Sequence, residues 1–208
     1  LSGHTVQVEV FDPMLKSVLK KSLPVSIPAG PSVAEANLGS YAISPAFRNA
    51  FFFLTVELRN AQGALVSRSV YWPRCPEVME SREFRDKYRA SPQPNLSFDK
   101  GPWLKPTVAK SQTTLSLTAG KLSARPDDRA RLTLRVKNTG ATPAFLVHLE
   151  IDGIKRAFFC TDDYFWLAPG EEKSIQVDVI WRELPAGKPI QASAQAWNAA
   201  SVSAQLQP

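Results

Sequence analysis

The sequence predicts an all-β chain of antiparallel β-sandwich modules, on three observations. Apolar and polar residues alternate with a period of two in segment after segment, and turn residues (Gly, Pro, Asn) bound those segments. No long helical period accompanies them, whereas parallel architectures need crossover helices. The ten glycines form no phosphate-cradling motif.

In "TVQVEVF", Val6, Val8 and Val10 share one face, and Thr5, Gln7 and Glu9 share the other. "FFFLTVELR" groups Phe52, Leu54, Val56 and Leu58, and "ALVSRSVYW" follows across "NAQG", where Asn60 and Gly63 suit a hairpin. Residues 1–75 thus hold four clear strands, and the opening strand or strands of this module are expected upstream of Leu1. Residues 76–110 change character. They are rich in Pro and charge and read as a linker, with a short helix in "EVMESREFRDKY" offering Val78, Phe84 and Tyr88 as contacts.

From residue 111 to 208 the alternation is cleaner. "RARLTLRVKN" sends Ala130, Leu132, Leu134 and Val136 inward, and "PAFLVHLEI" aligns Phe145, Val147, Leu149 and Ile151. "KSIQVDVIW" aligns Ile175, Val177, Val179 and Trp181, and "PIQASAQAW" aligns Ile190, Ala192, Ala194 and Ala196. Short strands at this spacing, separated by "NTGATP", "APGEE" and "LPAGKP", describe a sandwich of immunoglobulin type. The predicted fold is two immunoglobulin-like antiparallel β-sandwich modules joined by a Pro-rich linker.

Composition narrows the function classes. With 208 residues, 44% hydrophobic and 21% charged, the chain is an ordinary globular protein. Its net charge of +6 is spread among 19 acids, so nucleic acid is not an expected partner. Arg129, Arg131, Arg135 and Lys137 form a stripe without alternating aromatics, which reads as a solvated sheet face or a domain contact. No apolar run reaches the length of a membrane span. The two cysteines, Cys75 and Cys160, read as free thiols, and His4 and His148 stand alone, so no metal site or cofactor is expected. "LSGHTVQVEV" is no signal peptide, and the chain reads as a piece cut from something longer. Its compartment is unassigned, being periplasmic or secreted for a bacterial source.

One stretch, "TDDYFWLAPGEEKSI", packs acids and aromatics around a Pro-Gly turn, as a glycosidase site or a sandwich corner does. A glycosidase needs two carboxyl groups facing each other across a bond. Asp162 and Asp163 are adjacent and point to opposite sides of an extended chain, and Glu171 and Glu172 follow the turn. The expected role of the two aspartates is to accept local backbone N–H bonds, and that of the glutamates is a solvated turn. His148 lies on a strand with Glu150 two residues on, and no Gly-x-Ser-x-Gly elbow exists. Cys160 reads as a small buried apolar residue. Trp103, Tyr164, Trp166 and Trp197 are the aromatics that would stack on sugar rings or fill an interface. No catalytic residue is assigned.

The stretches "NTGATPAFLVHLEIDG", "RAFFCTDDYFWLAPGEEKSIQVDV" and "QAWN" resemble the C-terminal immunoglobulin-like domain of glycoside hydrolase family 2 enzymes of the β-mannosidase, exo-β-glucosaminidase and endo-β-mannosidase group. Phe159, Asp162, Tyr164, Phe165, Leu167, Pro169, Gly170 and Glu171 match its motif. Cys160 stands where an aromatic is usual, and Asp163 where Asn is usual. "HTVQVEVFDPMLK" and "FFFLTVELRNAQGALVSRSVYW" are similar to the mannosidase-type sandwich that precedes that domain. The resemblance implies non-catalytic modules that buttress a TIM barrel, with the catalytic glutamates on the barrel and none here. The alternative reading is an autonomous carbohydrate-binding or adhesion module.

Overall fold

The computed structural model describes residues 3–26, 39–40, 42, 51–73, 104–126, 129–152, 156–181 and 190–206. Contacts divide the chain into two units, Leu1–Thr107 and Val108–Pro208. Most of the expected linker, through Trp103, and the helix expected around Val78, Phe84 and Tyr88 lie outside the described residues, as does Cys75. The last linker residues form α1 (Leu104–Val108), whose Pro106 sits in the first turn, where a missing N–H is tolerated.

The first unit contains an antiparallel sheet of β1 (His4–Phe11), β2 (Ser17–Val25), β3 (Phe53–Arg59) and β4 (Leu65–Tyr71), in the order β2-β1-β3-β4. Its two hairpins are closed by the same chemistry. Asp12 Oδ1 accepts the N–H groups of Met14 and Lys16 at 2.8 and 2.9 Å, and Asn60 Oδ1 accepts those of Gln62 and Ala64 at 3.0 and 2.9 Å. Each loop then needs one residue in the left-handed region. Gly63 supplies it at φ 80°, and Leu15 at φ 60°. Leu15 is buried, so its packing offsets the backbone strain.

The β3 alternation has the predicted period, but its most buried face is the other one. Phe51, Phe53, Thr55 and Glu57 are buried, while Phe52, Leu54, Val56 and Leu58 are only half-buried. Charge pairing permits the inversion. Glu57 Oε2 accepts Arg59 Nε and Nη2 at 2.9 and 2.5 Å, and Oε1 accepts Arg68 Nε at 2.7 Å. Arg68 stands opposite Glu57 on β4, so the pair spans two strands. A carboxylate with both oxygens held this way can go under cover, where an unpaired one cannot.

The second unit is a sandwich. One sheet runs β10 (Phe165–Leu167), β8 (Ala144–Asp152), β12 (Ile190–Ala196), β13 (Ala199–Leu206). The other runs β5 (Leu115–Ala119), β7 (Arg129–Asn138), β11 (Glu172–Trp181), β9 (Arg156–Cys160), with β6 (Ser123–Arg125) also on β7. Register sets Leu132 opposite Val177 and Leu134 opposite Ile175, and these pack with Val147, Leu149, Ile151, Ala192 and Ala194 in one core. The inward faces of β7, β11 and β12 are those the alternation predicts.

β8 departs from its predicted face at one point. Leu146 has φ 53°, and four residues of β8 (Ala144 to Val147) pass three of β10 (Leu167 to Phe165). The bulge turns Ala144 into the core and leaves Phe145 outside that cluster, although it is 1% exposed.

Burial pushes the Glu57 carboxyl up, but Arg68 and Arg59 outweigh it and hold the group below its ordinary 4.5. A depressed folded value contributes stability above the unfolded value, and that contribution is lost as pH falls through the folded one. Melting curves of Glu57→Gln should therefore lie below wild type at pH 7, and the gap should close on acidification below about pH 4. A pH-independent gap would show that the ionised pair is not the cause.

Candidate functional site

The acid-and-aromatic stretch 161–175 forms the corner between β9 and β11, with β10 inside it. The turn residues act as predicted. Glu171 N–H donates to the Ala168 carbonyl at 3.0 Å, with Pro169 and Gly170 between them and Gly170 at φ 76°. This is the pattern of a type II turn, with Pro at its second position and Gly at its third. Glu171 is not merely solvated: its Oε2 accepts the Ala168 N–H at 2.8 Å and braces the turn.

Both aspartates hold backbone, Asp162 locally as expected and Asp163 on a neighbouring strand. Asp163 Oδ1 accepts the Leu149 N–H at 3.0 Å, and Asp162 Oδ1 accepts the Asp163 N–H at 2.9 Å. Asp162 also pairs with Lys173, whose ammonium lies 4.8 Å from the Phe165 ring centroid. His148 is not isolated: its Nδ1 lies 2.9 Å from Asp163 Oδ2, and its ring stacks on Tyr164 at 4.6 Å and 17°. Tyr164 reaches that position at φ 53° and is 56% exposed.

The remaining candidates separate. Trp166 is 5% exposed and packs edge-on to Phe145 at 6.2 Å, which leaves no open face for a sugar ring. Trp197 is half-buried against the same Phe145 at 5.5 Å. Phe165 is in the core. Phe159, by contrast, is 64% exposed on the outer face of β9, and Trp103 lies outside the described residues. Cys160 is half-buried rather than fully buried, a free thiol raised by burial and then by Asp163 and Asp162. No group of three metal-ligating side chains occurs among the described residues.

Two buried amides went unassigned in the sequence reading. Asn138 ends β7 and is fully buried. Its Oδ1 accepts Thr113 Oγ1 and the Gly140 N–H at 2.8 and 3.0 Å, and its Nδ2 donates to the carbonyls of Thr142 and Leu167 at 2.8 and 3.0 Å. Asn198 is 1% exposed. Its Nδ2 donates to the carbonyls of Ser111 and Pro143 at 2.7 and 2.8 Å, and its Oδ1 accepts the Phe145 N–H at 3.0 Å. Both amides stand in the quoted stretches "NTGATP" and "QAWN", each beside a turn, which is the signal that marks them.

The second unit is thus an immunoglobulin-like sandwich module whose acids and aromatics secure its own loops. Residues 108–199 match the family model described as the exo-beta-D-glucosaminidase Ig-fold domain. The crystal structure of the Amycolatopsis orientalis exo-chitosanase CsxA is similar over 99% of this chain and 24% of its own, at 16% identity and a TM-score of 0.61. A structure of the exo-beta-D-glucosaminidase CsxA with castanospermine- and australine-type inhibitors matches over the same shares, at 15% identity and a TM-score of 0.60. The chain spans about a quarter of the length of these structures. No curated protein sequence matches it.

Asn138→Ala should destabilise the second unit by about 2 to 4 kcal/mol, because it removes the amide donor to the Leu167 carbonyl, leaves Thr142 only the Thr113 hydroxyl, and takes the acceptor from the Gly140 N–H. Gly140→Ala should act on the same network, since a Cβ there would lie 2.3 Å from Thr113 Oγ1 and 2.8 Å from the Thr114 nitrogen. Thermal melts that leave either variant within a degree of wild type would contradict this reading.

Proposed function

We propose that the chain is the non-catalytic C-terminal β-sandwich region of a family 2 exo-glycosidase acting on β-glucosaminides or β-mannosides. In this reading it buttresses a TIM barrel carried elsewhere in the same polypeptide. The carrying observation is the family-model match over residues 108–199. The fold likeness of nearly the whole chain to part of an exo-chitosanase supports it. Residues 1–75 are then the mannosidase-type sandwich, 76–110 the linker and 111–208 the terminal module. The match to an exo-beta-D-glucosaminidase domain favours β-glucosaminides, and the mannoside alternative rests on the motif resemblance alone.

Aromatic packing speaks against the autonomous sugar-binding alternative at Trp166 and Trp197. Trp166 and Trp197 pack on Phe145, and His148 covers one face of Tyr164.

Incubation of the 208-residue chain with p-nitrophenyl β-D-glucosaminide and β-D-mannoside should release no nitrophenol. The gene upstream of Leu1 should encode a (β/α) barrel with paired glutamates, and the longer polypeptide should turn over one of the two substrates. Turnover by the 208-residue chain, or a longer polypeptide inert toward both, would overturn the proposal.

A further inference from the structure

We infer that the solvent face of the β6-β7-β11-β9 sheet is a groove for an acidic oligosaccharide of two or three rings, gripped through its carboxylates. The inference stands apart from the glycosidase reading. The groove has a volume of about 590 Å³, and Arg125, Arg129, Arg131, Phe159, Asp178 and Ile180 line it. That is the size of a small-ligand pocket, whereas a protein partner usually covers about 800 Å² on each side.

Register fixes the layout. Ser123, Arg131, Asp178 and Phe159 form one row across the four strands, and Arg125, Arg129, Ile180 and Ala157 form the next. Neighbouring strands lie about 4.8 Å apart, so Phe159 and Arg131 are about 10 Å apart along their row. One pyranose ring does not bridge that span and two linked rings do.

Each part of such a ligand has a counterpart on this face. The Phe159 ring is 64% exposed and offers its face to the C–H side of a sugar. Three guanidinium groups surround one carboxylate. Arg131 grips Asp178 with Nε and Nη2 at 2.5 and 2.9 Å, the fork geometry a ligand carboxylate takes. Arg125 and Arg129 make no hydrogen bond or ion pair among the described residues. Both nevertheless act on Asp178, whose carboxyl is held below its usual range by Arg131 first and then by their fields. Two exposed cations with no hydrogen bond or ion pair among the described residues, beside an exposed aromatic, favour an anionic ring over a neutral or cationic one.

Calorimetric titration of the 208-residue chain with trigalacturonate, with maltotriose, galacturonate and polyglutamate alongside, tests the inference. Trigalacturonate should bind saturably at one site, and Phe159→Ala and Arg129→Ser should each weaken it about tenfold or more. Maltotriose should give no heat. Both substituted side chains are exposed, and unchanged melting curves will show that the variants fold. Galacturonate binding as tightly as the trimer would overturn the two-ring span. Polyglutamate binding as tightly, with no loss in Phe159→Ala, would make the groove a surface for acidic polypeptide and overturn the proposal. Absence of trigalacturonate binding would overturn it outright.

Discussion

The second unit depends on two amides placed where water does not reach. Asn138 has two N–H donors and two oxygen lone pairs, and all four are used. Its partners come from the segment before β5, the loop after β7 and the end of β10, so one side chain joins both sheets of the sandwich. Asn198 does the same at the turn between β12 and β13, holding the carbonyls of Ser111 and Pro143. Backbone hydrogen bonds from Asn138 to Glu171 and from Gly170 to Asn138 extend the network into the Pro-Gly turn. A hydrophobic core fills such a sandwich without fixing how its sheets meet. Fully satisfied buried amides are directional and supply that definition, at a high cost if any one partner is lost.

The first unit handles burial differently. Its β3 strand carries a carboxylate on its most covered face and neutralises it with two arginines. Gln7 reaches the same cluster through a 3.1 Å hydrogen bond from Arg59 Nε, so residues from β1, β3 and β4 meet there. Apolar residues on the opposite face are half-buried, and at the Phe11 end Val10 and Phe11 are both covered, one on each face.

What was legible in the sequence followed from period-two alternation and turn chemistry. β7, β11 and β12 bury the residues their alternation names, and Asn60-Gly63 and Pro169-Gly170 make the turns their residue types demand. The errors have local causes. Alternation reports two faces without saying which is covered, and in β3 the ion pair at Glu57 reversed the expected order. In β8 one bulged residue, Leu146, turned Phe145 away from the cluster between the sheets; a leucine at positive φ gives no warning in a sequence. Phe159 belongs to a matching motif, yet it points to solvent, because strand parity sets it beside Asp178 rather than beside the core residues Val177 and Val179. The two amides were visible as letters in quoted motifs, but a side chain's long-range partners lie 25 to 87 residues away and are not written in the local pattern.

Cys160 packs against the core with two carboxylates near it. Apolar cover and negative neighbours both disfavour the thiolate, the form that attacks disulfides and reacts with peroxide. The sandwich gains from it a small, soft side chain that packs at the edge of its core.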